Sequence, residues 1–290
     1  MHSYDEQTGR NIGFVTPEQQ ERLRAATVFI CGVGGMGGSC ALALARAGVG
    51  RLILADIDTF EASNLNRQVF AFTHTLGRHK AEATAAICTT INPHGTFEVR
   101  DGSWTDSILD DLHNVEVAVN GADDLGAALH LYRTAKALGV TVVDAYAAPL
   151  PSVFVTTSID DAPEHRLGYQ TIGTAWDAVT PAQRAHAFQR ELEHVLLHST
   201  SRTWIDLAVA AEVAAGTRPR MSFAPMVIAT GQMMAFEVIH GILDQPHGAD
   251  AQGYFFNPHT GRTEHPWSAP VAACLRPFVR RALARMVQGA

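Results

Sequence analysis

A short polar run at positions 63–68 carries the first chemically informative side chains of this sequence. It reads Ser63-Asn64-Leu65-Asn66-Arg67-Gln68, and Lys80 follows at a helix start. Arg67 and Lys80 can neutralise charge that builds up on the outer phosphates of a polyphosphate as a phosphate group leaves. Asn64 can bridge a phosphate and a sugar. Singly, each residue is better explained as exposed loop or helix start, but together they favour a triphosphate site.

A glycine-rich turn precedes this run. The segment 30–38 reads as a strand that passes through the turn into a helix, with glycines at Gly32, Gly34, Gly35 and Gly37. Glycines let the backbone approach a phosphate, and a helix N-terminus presents free N–H groups and partial positive charge. Asp56 ends the next β run, where a carboxylate can accept hydrogen bonds from ribose hydroxyls. The turn and Asp56 alone indicate a nucleotide, and NAD would fit them equally well.

Two adjacent carboxylates, Asp123 and Asp124, end a later β run. Ligands of open parallel sheets bind outside the carboxyl ends of the strands, so both face the expected polyphosphate. Mg²⁺ is commonly held by one or two carboxylates together with phosphate oxygens. We expect Asp123 to bind the metal, whereas Asp124 is equally well explained as the N-cap of the helix that follows.

The elements that position these residues alternate between strands and helices in the first half of the chain. Strands are predicted at Thr27–Cys31, Arg51–Ala55, 116–120 and 140–144, and helices at 36–47, Lys80–Ile91 and 126–138. Strands alternating with helices predict a parallel sheet with right-handed crossovers. The predicted fold class is therefore α/β, a doubly wound, mainly parallel Rossmann-like sheet with a helical crossover insertion.

The pattern changes after position 149. A strand is predicted at 152–158 and a polar loop at 160–180. Thr180-Pro181 then opens a helix, with Thr as N-cap and Pro at the first position. Further helices are expected at 204–215, 221–243 and 271–287, with a strand at 253–257. We divide the chain into an N-terminal arm (1–25), a nucleotide-binding core (26–158), a crossover or lid insertion (159–220) and a segment that completes the core (221–290).

The order of these motifs resembles the ThiF/MoeB/ubiquitin-activating superfamily. The resemblance rests on the glycine turn, the D-x-D at 56–58, the SNLNRQ run, Lys80 and the A-D-D at 122–124. It covers about residues 10–144 and resumes at 223–243. The SNLNRQ run is highly specific, and the glycines alone are not. Enzymes of this superfamily adenylate the terminal carboxylate of a ubiquitin-like protein or a peptide.

The resemblance implies ATP and Mg²⁺ as cofactors and assigns a role to each matching residue. It implies that the four glycines cradle the phosphates and that Asp56 holds the ribose. Asp123 would bind Mg²⁺. An arginine from the partner's N-terminal arm, matched by Arg10, would act across a homodimer. The implied catalytic residues are Arg67, Lys80, Asp123 and Arg10, and the implied nucleotide-binding set also includes Asp58, Ser63, Asn64, Gln68 and Asp124.

The sequence departs from the superfamily in its cysteines. Many members carry two C-x-x-C pairs for zinc, and this chain has none. Many also carry a cysteine in the crossover region, whereas the stretch 144–219 contains no cysteine. We therefore expect the acyl-AMP to be captured directly by an amine, amide or thiol of the substrate or of a second reactant. The expected substrate is a carboxylate-bearing peptide, small protein or metabolite.

Composition restricts the other function classes. The net charge of −7 disfavours a nucleic-acid partner. The chain has neither an 18-residue apolar run nor an apolar leader, so we expect a cytoplasmic protein without a membrane partner. The alternatives are a nicotinamide-dependent oxidoreductase, a catalytically silent subunit that docks a carrier protein, and a tRNA-modifying dehydratase. His186, His194 and His198 are better explained as a polar helix face than as metal ligands.

Overall fold

Short runs of Val, Ile, Leu and Phe form the central strands of one sheet in the computed structural model, which describes residues 2–146 and 148–288. Its strand order is β3-β2-β1-β4-β5-β6-β7-β8. The strands are β1 (Thr27–Cys31), β2 (Arg51–Ala55), β3 (Thr96–Arg100), β4 (Val117–Asn120), β5 (Thr141–Asp144), β6 (Ser152–Thr156), β7 (Tyr254–Asn257) and β8 (Arg262–Glu264).

Helices cover the sheet and extend beyond its far edge. They are α1 (Tyr4–Thr8), α2 (Pro17–Ala25), α3 (Gly35–Ala47), α4 (Lys80–Ile91), α5 (Trp104–Leu112), α6 (Leu125–Leu138), α7 (Pro163–Arg166), α8 (Pro181–His198), α9 (Leu207–Ala214), α10 (Ala224–Ile242) and α11 (Ala269–Gln288).

The first five strands of the sheet are parallel, and the direction reverses at β6. β3, β2, β1, β4 and β5 pair in parallel, whereas β6, β7 and β8 join antiparallel. Val28 and Ile30 pack into the core on one face, and Phe29 and Cys31 into the core on the other. Because both faces are covered, these strands are continuously apolar. The predicted doubly wound, mainly parallel α/β class is confirmed.

Helix α10 packs along α3 on one face of the sheet. Gly231 allows this approach, since a Cβ there would lie 2.5 Å from both the Met36 carbonyl oxygen and the Ser39 Cβ. The Ser39 hydroxyl donates to the Ile228 carbonyl oxygen across the same contact. The C-terminal segment therefore supports the helix that begins at the glycine turn.

Several elements differ from the sequence expectations. The strand Thr96–Arg100 and the helix Trp104–Leu112 were not predicted, because a half-buried strand beside polar residues gives a weak pattern. The expected loop at 160–180 contains the short helix α7. The helix predicted at Thr180-Pro181 is confirmed, with a capping box between Thr180 and Gln183. Throughout the described ranges, no helix is both long enough and apolar enough to cross a membrane.

Two glycines with positive φ differ in the space around them. Gly32 has φ +83°, and an added Cβ would meet the backbone of residues 121 and 122 at 2.6 Å; Gly77 has φ +78° with open space around it. Gly77→Ala should lower the free energy of unfolding by about 1–2 kcal/mol, the left-handed strain alone. Gly32→Ala should lower the free energy of unfolding by at least about twice as much, because the backbone of residues 121 and 122 must also move. Urea unfolding measures both, and equal losses would show that the close contact is unimportant.

Candidate active site

A cleft of about 710 Å³ opens at the carboxyl ends of β1, β2 and β4. Its lining brings together residues that lie far apart in the sequence. Those that the sequence singled out are Gly32, Gly34, Gly35, Asp56, Asp58, Arg67, Gln68, Lys80, Asp123 and Asp124. The glycine turn, two cations and the paired carboxylates thus share one site, as expected for an open parallel sheet.

The glycine turn is shaped by backbone contacts that exclude side chains. A Cβ on Gly37 would lie 1.9 Å from the Gly32 carbonyl oxygen, inside the turn itself. Gly34 is the N-cap of α3 and has no side chain to cover the first N–H groups of that helix. Those N–H groups are therefore available to an anion, and the helix dipole favours one there.

Asp56 ties the end of β2 to this turn. Its Oδ2 accepts the Val33 N–H at 2.8 Å, and its Oδ1 accepts the Asp58 N–H at 2.9 Å. A carboxylate offers about four acceptor positions, so two remain for a ligand. The observed contacts show that Asp56 positions the glycine turn as well as facing the cleft.

Lys80 reaches the cleft from the first turn of α4 and is held there by an ion pair. Its Nζ lies 2.8 Å from Asp58 Oδ2, and the side chain of Lys80 is only 10% exposed while that of Asp58 is 60% exposed. The Lys80 N–H also donates to the Asp58 carbonyl oxygen. An anion that enters the cleft can replace the exposed Asp58 carboxylate as the partner of the lysine.

The run from Ser63 to Gln68 forms a compact turn around Arg67. Asn64 is buried and accepts the Glu61 N–H through Oδ1, and Arg67 Nη1 donates to the Ser63 carbonyl oxygen at 2.8 Å. Ser63 and Asn64 do not belong to the described cleft lining, whereas Arg67 and Gln68 do. In this structure Asn64 and Ser63 shape the turn that carries the arginine, and any direct phosphate contact of theirs stays a prediction.

The paired carboxylates have different environments. Asp124 is the N-cap of α6, since its Oδ1 accepts the Ala127 N–H at 2.8 Å, and it forms an ion pair with Arg184. Asp123 is exposed and makes no hydrogen bond or ion pair to any described residue. The helix-cap explanation of Asp124 is therefore observed, and Asp123 is the carboxylate whose oxygens are available for a cation.

Sequence reasoning missed an aromatic part of the cleft. Trp104 and Trp176 both line it. His130 lies between them, stacked on Trp176 at 4.5 Å and tilted against Trp104 at 6.1 Å, with its Nε2 3.0 Å from the Thr105 carbonyl oxygen. Arg220 adds a further cation to the lining and lies over the Phe188 ring. The aromatic residues come from three separate segments, so no local motif announces them.

A second, smaller cavity of about 30 Å³ adjoins the cleft, and we call it the polar chamber. Its polar lining residues are Asn120, Tyr132, Asp144, Tyr146, Glu164, Tyr169 and Glu191. Tyr146 lines both the chamber and the cleft.

Two carboxyl groups in the polar chamber hold their protons unusually tightly. Burial raises the pKa of Asp144 to about 6, although Tyr132, Asn120 and the Ala145 N–H all donate to it. Burial also raises the pKa of Glu191 to about 7, and the nearby Asp144 charge adds to this rise. Desolvation raises the free energy of both ionised carboxylates, and the repulsion between their two negative charges raises it further.

Two histidines of α8 have structural partners. His194 Nε2 lies 3.1 Å from the Gln252 carbonyl oxygen, and His198 Nδ1 accepts the Trp267 N–H. Burial lowers the pKa of His194 to about 3 and that of His198 to about 4. Within residues 2–146 and 148–288 no cluster of three potential ligands can hold a metal ion. His194 and His198 are buried, so the expected polar helix face is wrong for these two residues.

Arg10 lies at the opposite end of α3 from the glycine turn. It is exposed, and its neighbour Asn11 donates to the Ala47 carbonyl oxygen at the C-terminus of that helix. A helix of 13 residues is about 20 Å long, which exceeds the reach of an arginine side chain. Arg10 therefore does not reach the cleft of its own chain.

Comparison with known proteins places this architecture in a family. The model of the ThiF family matches residues 7–272. The tRNA threonylcarbamoyladenosine dehydratase of Bacillus subtilis is 32% identical over 129 residues, which is 44% of this chain and 51% of that protein. The molybdopterin-synthase adenylyltransferase of Salmonella typhimurium is 39% identical over 95 residues, 33% of this chain and 38% of that protein. The chain thus spans about half or less of the length of these relatives.

Solved structures share the fold. A crystal structure of PaaA has a TM-score of 0.59 at 20% identity, covering 91% of this chain and 79% of that one. Escherichia coli MccB with ATP has a TM-score of 0.58 at 17% identity, covering 91% of this chain and 72% of that one. At these identities the similarity shows a common architecture.

The buried histidines predict an acid limit to stability. His194 is neutral in the folded protein, whereas in the unfolded chain its pKa is the ordinary one. Below about pH 6.5 the unfolded state therefore binds more protons, and the free energy of unfolding decreases as the pH is lowered. His194→Gln should reduce that fall by about 1.4 kcal/mol per pH unit between pH 6 and 4.5. Denaturant unfolding at several pH values measures it, with the exposed His113→Gln as control. Parallel curves for wild type and His194→Gln would contradict this assignment.

Proposed function

Because the chain belongs to the ThiF family, we propose that the protein adenylates a carboxylate with ATP, giving acyl-AMP and pyrophosphate. One observation carries the proposal: a single cleft gathers the glycine turn, Arg67, Lys80 and Asp123 at the carboxyl edge of the sheet. A nicotinamide oxidoreductase would need the turn but not the two cations. A silent docking subunit would not be expected to retain Arg67, Lys80 and Asp123. Relatives named as adenylyltransferases support the proposal.

The proposed chemistry makes few demands on the protein. A carboxylate is a poor electrophile because oxide would have to leave, and attachment of AMP supplies a good leaving group. The enzyme then has to position two reactants and stabilise the charge on the departing pyrophosphate. A cleft with cations, a helix N-terminus and no reactive thiol suits these requirements.

Lys80 and Arg67 are the proposed stabilisers of the pyrophosphate. The ion pair with Asp58 holds the lysine ammonium group at the cleft before ATP binds. Arg67 is anchored on its own turn through Nη1. Among the described residues its other N–H groups have no partner, so they can meet phosphate oxygens. In this arrangement both cations are positioned before the nucleotide arrives.

The carboxylate of Asp123 is the proposed ligand for Mg²⁺. It is exposed at the cleft, and among the described residues it has no competing partner, which suits an oxygen-ligated cation. Bound there, Mg²⁺ would neutralise phosphate charge. Asp124 supports the same loop by capping α6.

The properties of the four cysteines favour direct capture of the acyl-AMP, without a thioester to the protein. Burial raises the pKa of Cys31, Cys40 and Cys88, so these thiols are poor nucleophiles. Cys274 is exposed but lies on α11, outside the cleft lining. The proposed nucleophile therefore belongs to the substrate or to a second reactant. The proposed substrate is a carboxylate in a peptide, small protein or metabolite.

A tRNA-modifying dehydratase is the second candidate. It is favoured by the name of the Bacillus subtilis relative and of its Haemophilus influenzae counterpart, which is 36% identical over 101 residues. The net charge of −7 counts against a nucleic-acid substrate. Inclusion of bulk tRNA in the substrate panel below decides between the two.

We also propose that the active unit is a homodimer in which Arg10 enters the partner's cleft. Arg10 is too far from its own cleft, and the side chains that follow it, Ile12 and Phe14, are 46% and 95% exposed. Contact with a second copy would bury these apolar groups, and a two-fold axis would deliver each arm to the other subunit.

ATP–[³²P]pyrophosphate exchange should depend on one member of a panel of peptides, organic acids, small carrier proteins and tRNA. Lys80→Ala, Arg67→Ala and Asp123→Ala should each reduce it about 100-fold or more, because each removes charge from the transition state. Lys136→Ala and Asp110→Ala, exposed residues outside the cleft, are the matched controls. Near-wild-type exchange in all three cleft variants, with folding intact, would reject the assignment.

Subunit complementation tests the arm. Arg10→Ala and Asp123→Ala proteins should each be inactive alone, yet an unfolded and co-refolded equal mixture should regain about a quarter of wild-type exchange. In half of the dimers one site then combines an intact Asp123 with the partner's intact arm. If the mixture stays inactive while its heterodimers are demonstrated by mass, Arg10 does not act across the interface.

A further inference from the structure

The polar chamber is not needed to bind a nucleotide, yet it lies against the cleft and contains groups able to exchange protons. Tyr146 separates the two spaces and is 6% exposed. Its hydroxyl accepts a hydrogen bond from Arg166 Nη2 at 2.8 Å. Behind it, Tyr132 donates to Asp144 Oδ2 at 2.8 Å, and Tyr169 donates to Glu191 Oε1 at 2.7 Å.

The carboxyl groups of the chamber interact with Tyr146. Burial raises the pKa of the Tyr146 hydroxyl, the Arg166 charge opposes this, and the charges of Asp144 and Glu191 add to the rise. The chamber volume of about 30 Å³ suits a single water molecule. The Asn120 Oδ1 is buried there and accepts no hydrogen bond from the described residues, so it offers a partner to such a water.

A second half-reaction after adenylation needs a proton acceptor. When a nucleophile X–H attacks the acyl carbon, the C–X bond forms, the C–O bond to phosphorus breaks, and AMP leaves with the electron pair. The proton on X has to be removed. Among the cleft residues that the sequence singled out, Arg67 and Lys80 are cations and Asp123 is assigned to a metal. Asp56 accepts two backbone N–H groups, Asp58 pairs with Lys80, and Asp124 caps α6 and pairs with Arg184.

We propose, resting on the adenylation assigned above, that Tyr146 and the carboxylates behind it, Glu191 and Asp144, accept the proton released when the acyl-AMP is captured. Tyr146 takes the proton from the nucleophile and passes its own hydroxyl proton into the chamber, where a carboxylate receives it. Tyr146 faces the reacting groups, whereas Glu191 and Asp144 act through it. Arg166 keeps the Tyr146 hydroxyl oriented and offsets the carboxylate charge.

The titration of the relay depends on groups from several elements. Glu191 of α8 is met by Tyr169 from the loop after α7, by Asp144 at the end of β5, by Arg166 of α7 and by Arg220 before α10. His194 lies one turn along α8 and stays neutral because burial lowers its pKa. With a pKa near neutrality, Glu191 can accept a proton and release it again in each turnover.

Comparison of the two half-reactions tests this proposal. With the carboxylate that supports exchange, Glu191→Gln should lower the ratio of product-linked AMP release to pyrophosphate exchange about 100-fold. Tyr146→Phe should lower the same ratio. Added hydroxylamine, a nucleophile that needs little help from a base, should restore AMP release in both variants as the hydroxamate forms. Glu237→Gln, a buried carboxylate outside both cavities, is the control and should leave the ratio unchanged.

The pH profile supplies a readout that a merely structural role would not move. In wild type, AMP release should rise as pH increases through about 7, because the acceptor must be ionised, and Glu191→Gln should lack this rise. Glutamine resembles the protonated acid in size, and Asp144→Asn offers a second variant should the first misfold. Wild-type exchange with unchanged ratios and profiles in folded variants would overturn the relay alone. Wild type without exchange across the whole panel would overturn both the adenylation and the relay.

Discussion

The backbone contact between the turns after β1 and β4 is the constraint on which the rest of the site depends. Gly121 donates its N–H to the Cys31 carbonyl oxygen at 2.7 Å, and a Cβ on Gly121 would lie 2.5 Å from the Gly32 oxygen and 2.8 Å from the Gly37 Cα. Glycine on both sides lets the glycine turn and the Asp123 loop approach within van der Waals distance. This approach places Asp123, the proposed metal ligand, beside the N-terminus of α3, because β1 and β4 are neighbours in the sheet.

Much of this arrangement was predictable because it is local. The strand–turn–helix at 27–47 and the helix from Lys80 follow from apolar runs, glycine and chain-order rules that act within a few residues. The parallel topology then follows from alternation, and it brings Asp56, Lys80 and Asp123 to one edge without further information. The Asp124 cap was also foreseeable as an alternative, since a carboxylate at a helix start satisfies free N–H groups.

The rest was not predictable because it depends on packing between distant segments. Trp104 begins a helix whose strand partner, β3, has a weak pattern, and Trp176 belongs to a segment that looked like polar loop. The pairing of Asp58 with Lys80 also escaped notice, although both residues were singled out, because a D-x-D pattern does not say which carboxylate faces a cation. The histidine-rich helix was expected to present a polar face, and only the fold shows that its Glu191 accepts a hydrogen bond from Tyr169 and lies within the electrostatic influence of Asp144.

The reversal of strand direction at β6 explains why the cleft and the chamber adjoin each other. Because β6 runs antiparallel to β5, Tyr146 just after β5 and residues 148–151 just before β6 lie at the carboxyl edge. From the far end of β6 the chain returns along α6: Lys136 donates to the Asp160 carbonyl oxygen and Arg133 to Glu164 and Thr174. This return path brings Trp176 beside the N-terminus of α6, at the cleft.

The same path accounts for the position of α8. Once the return segment has reached the carboxyl edge, the helix that follows starts beside the cleft, and Arg184 in its second turn pairs with Asp124. Glu191 then lies two turns further along, above the end of β5. A continued parallel arrangement would have required a crossover helix between β5 and β6, which would carry the chain away from this edge. The antiparallel step therefore places Glu191 beside the proposed site of acyl transfer.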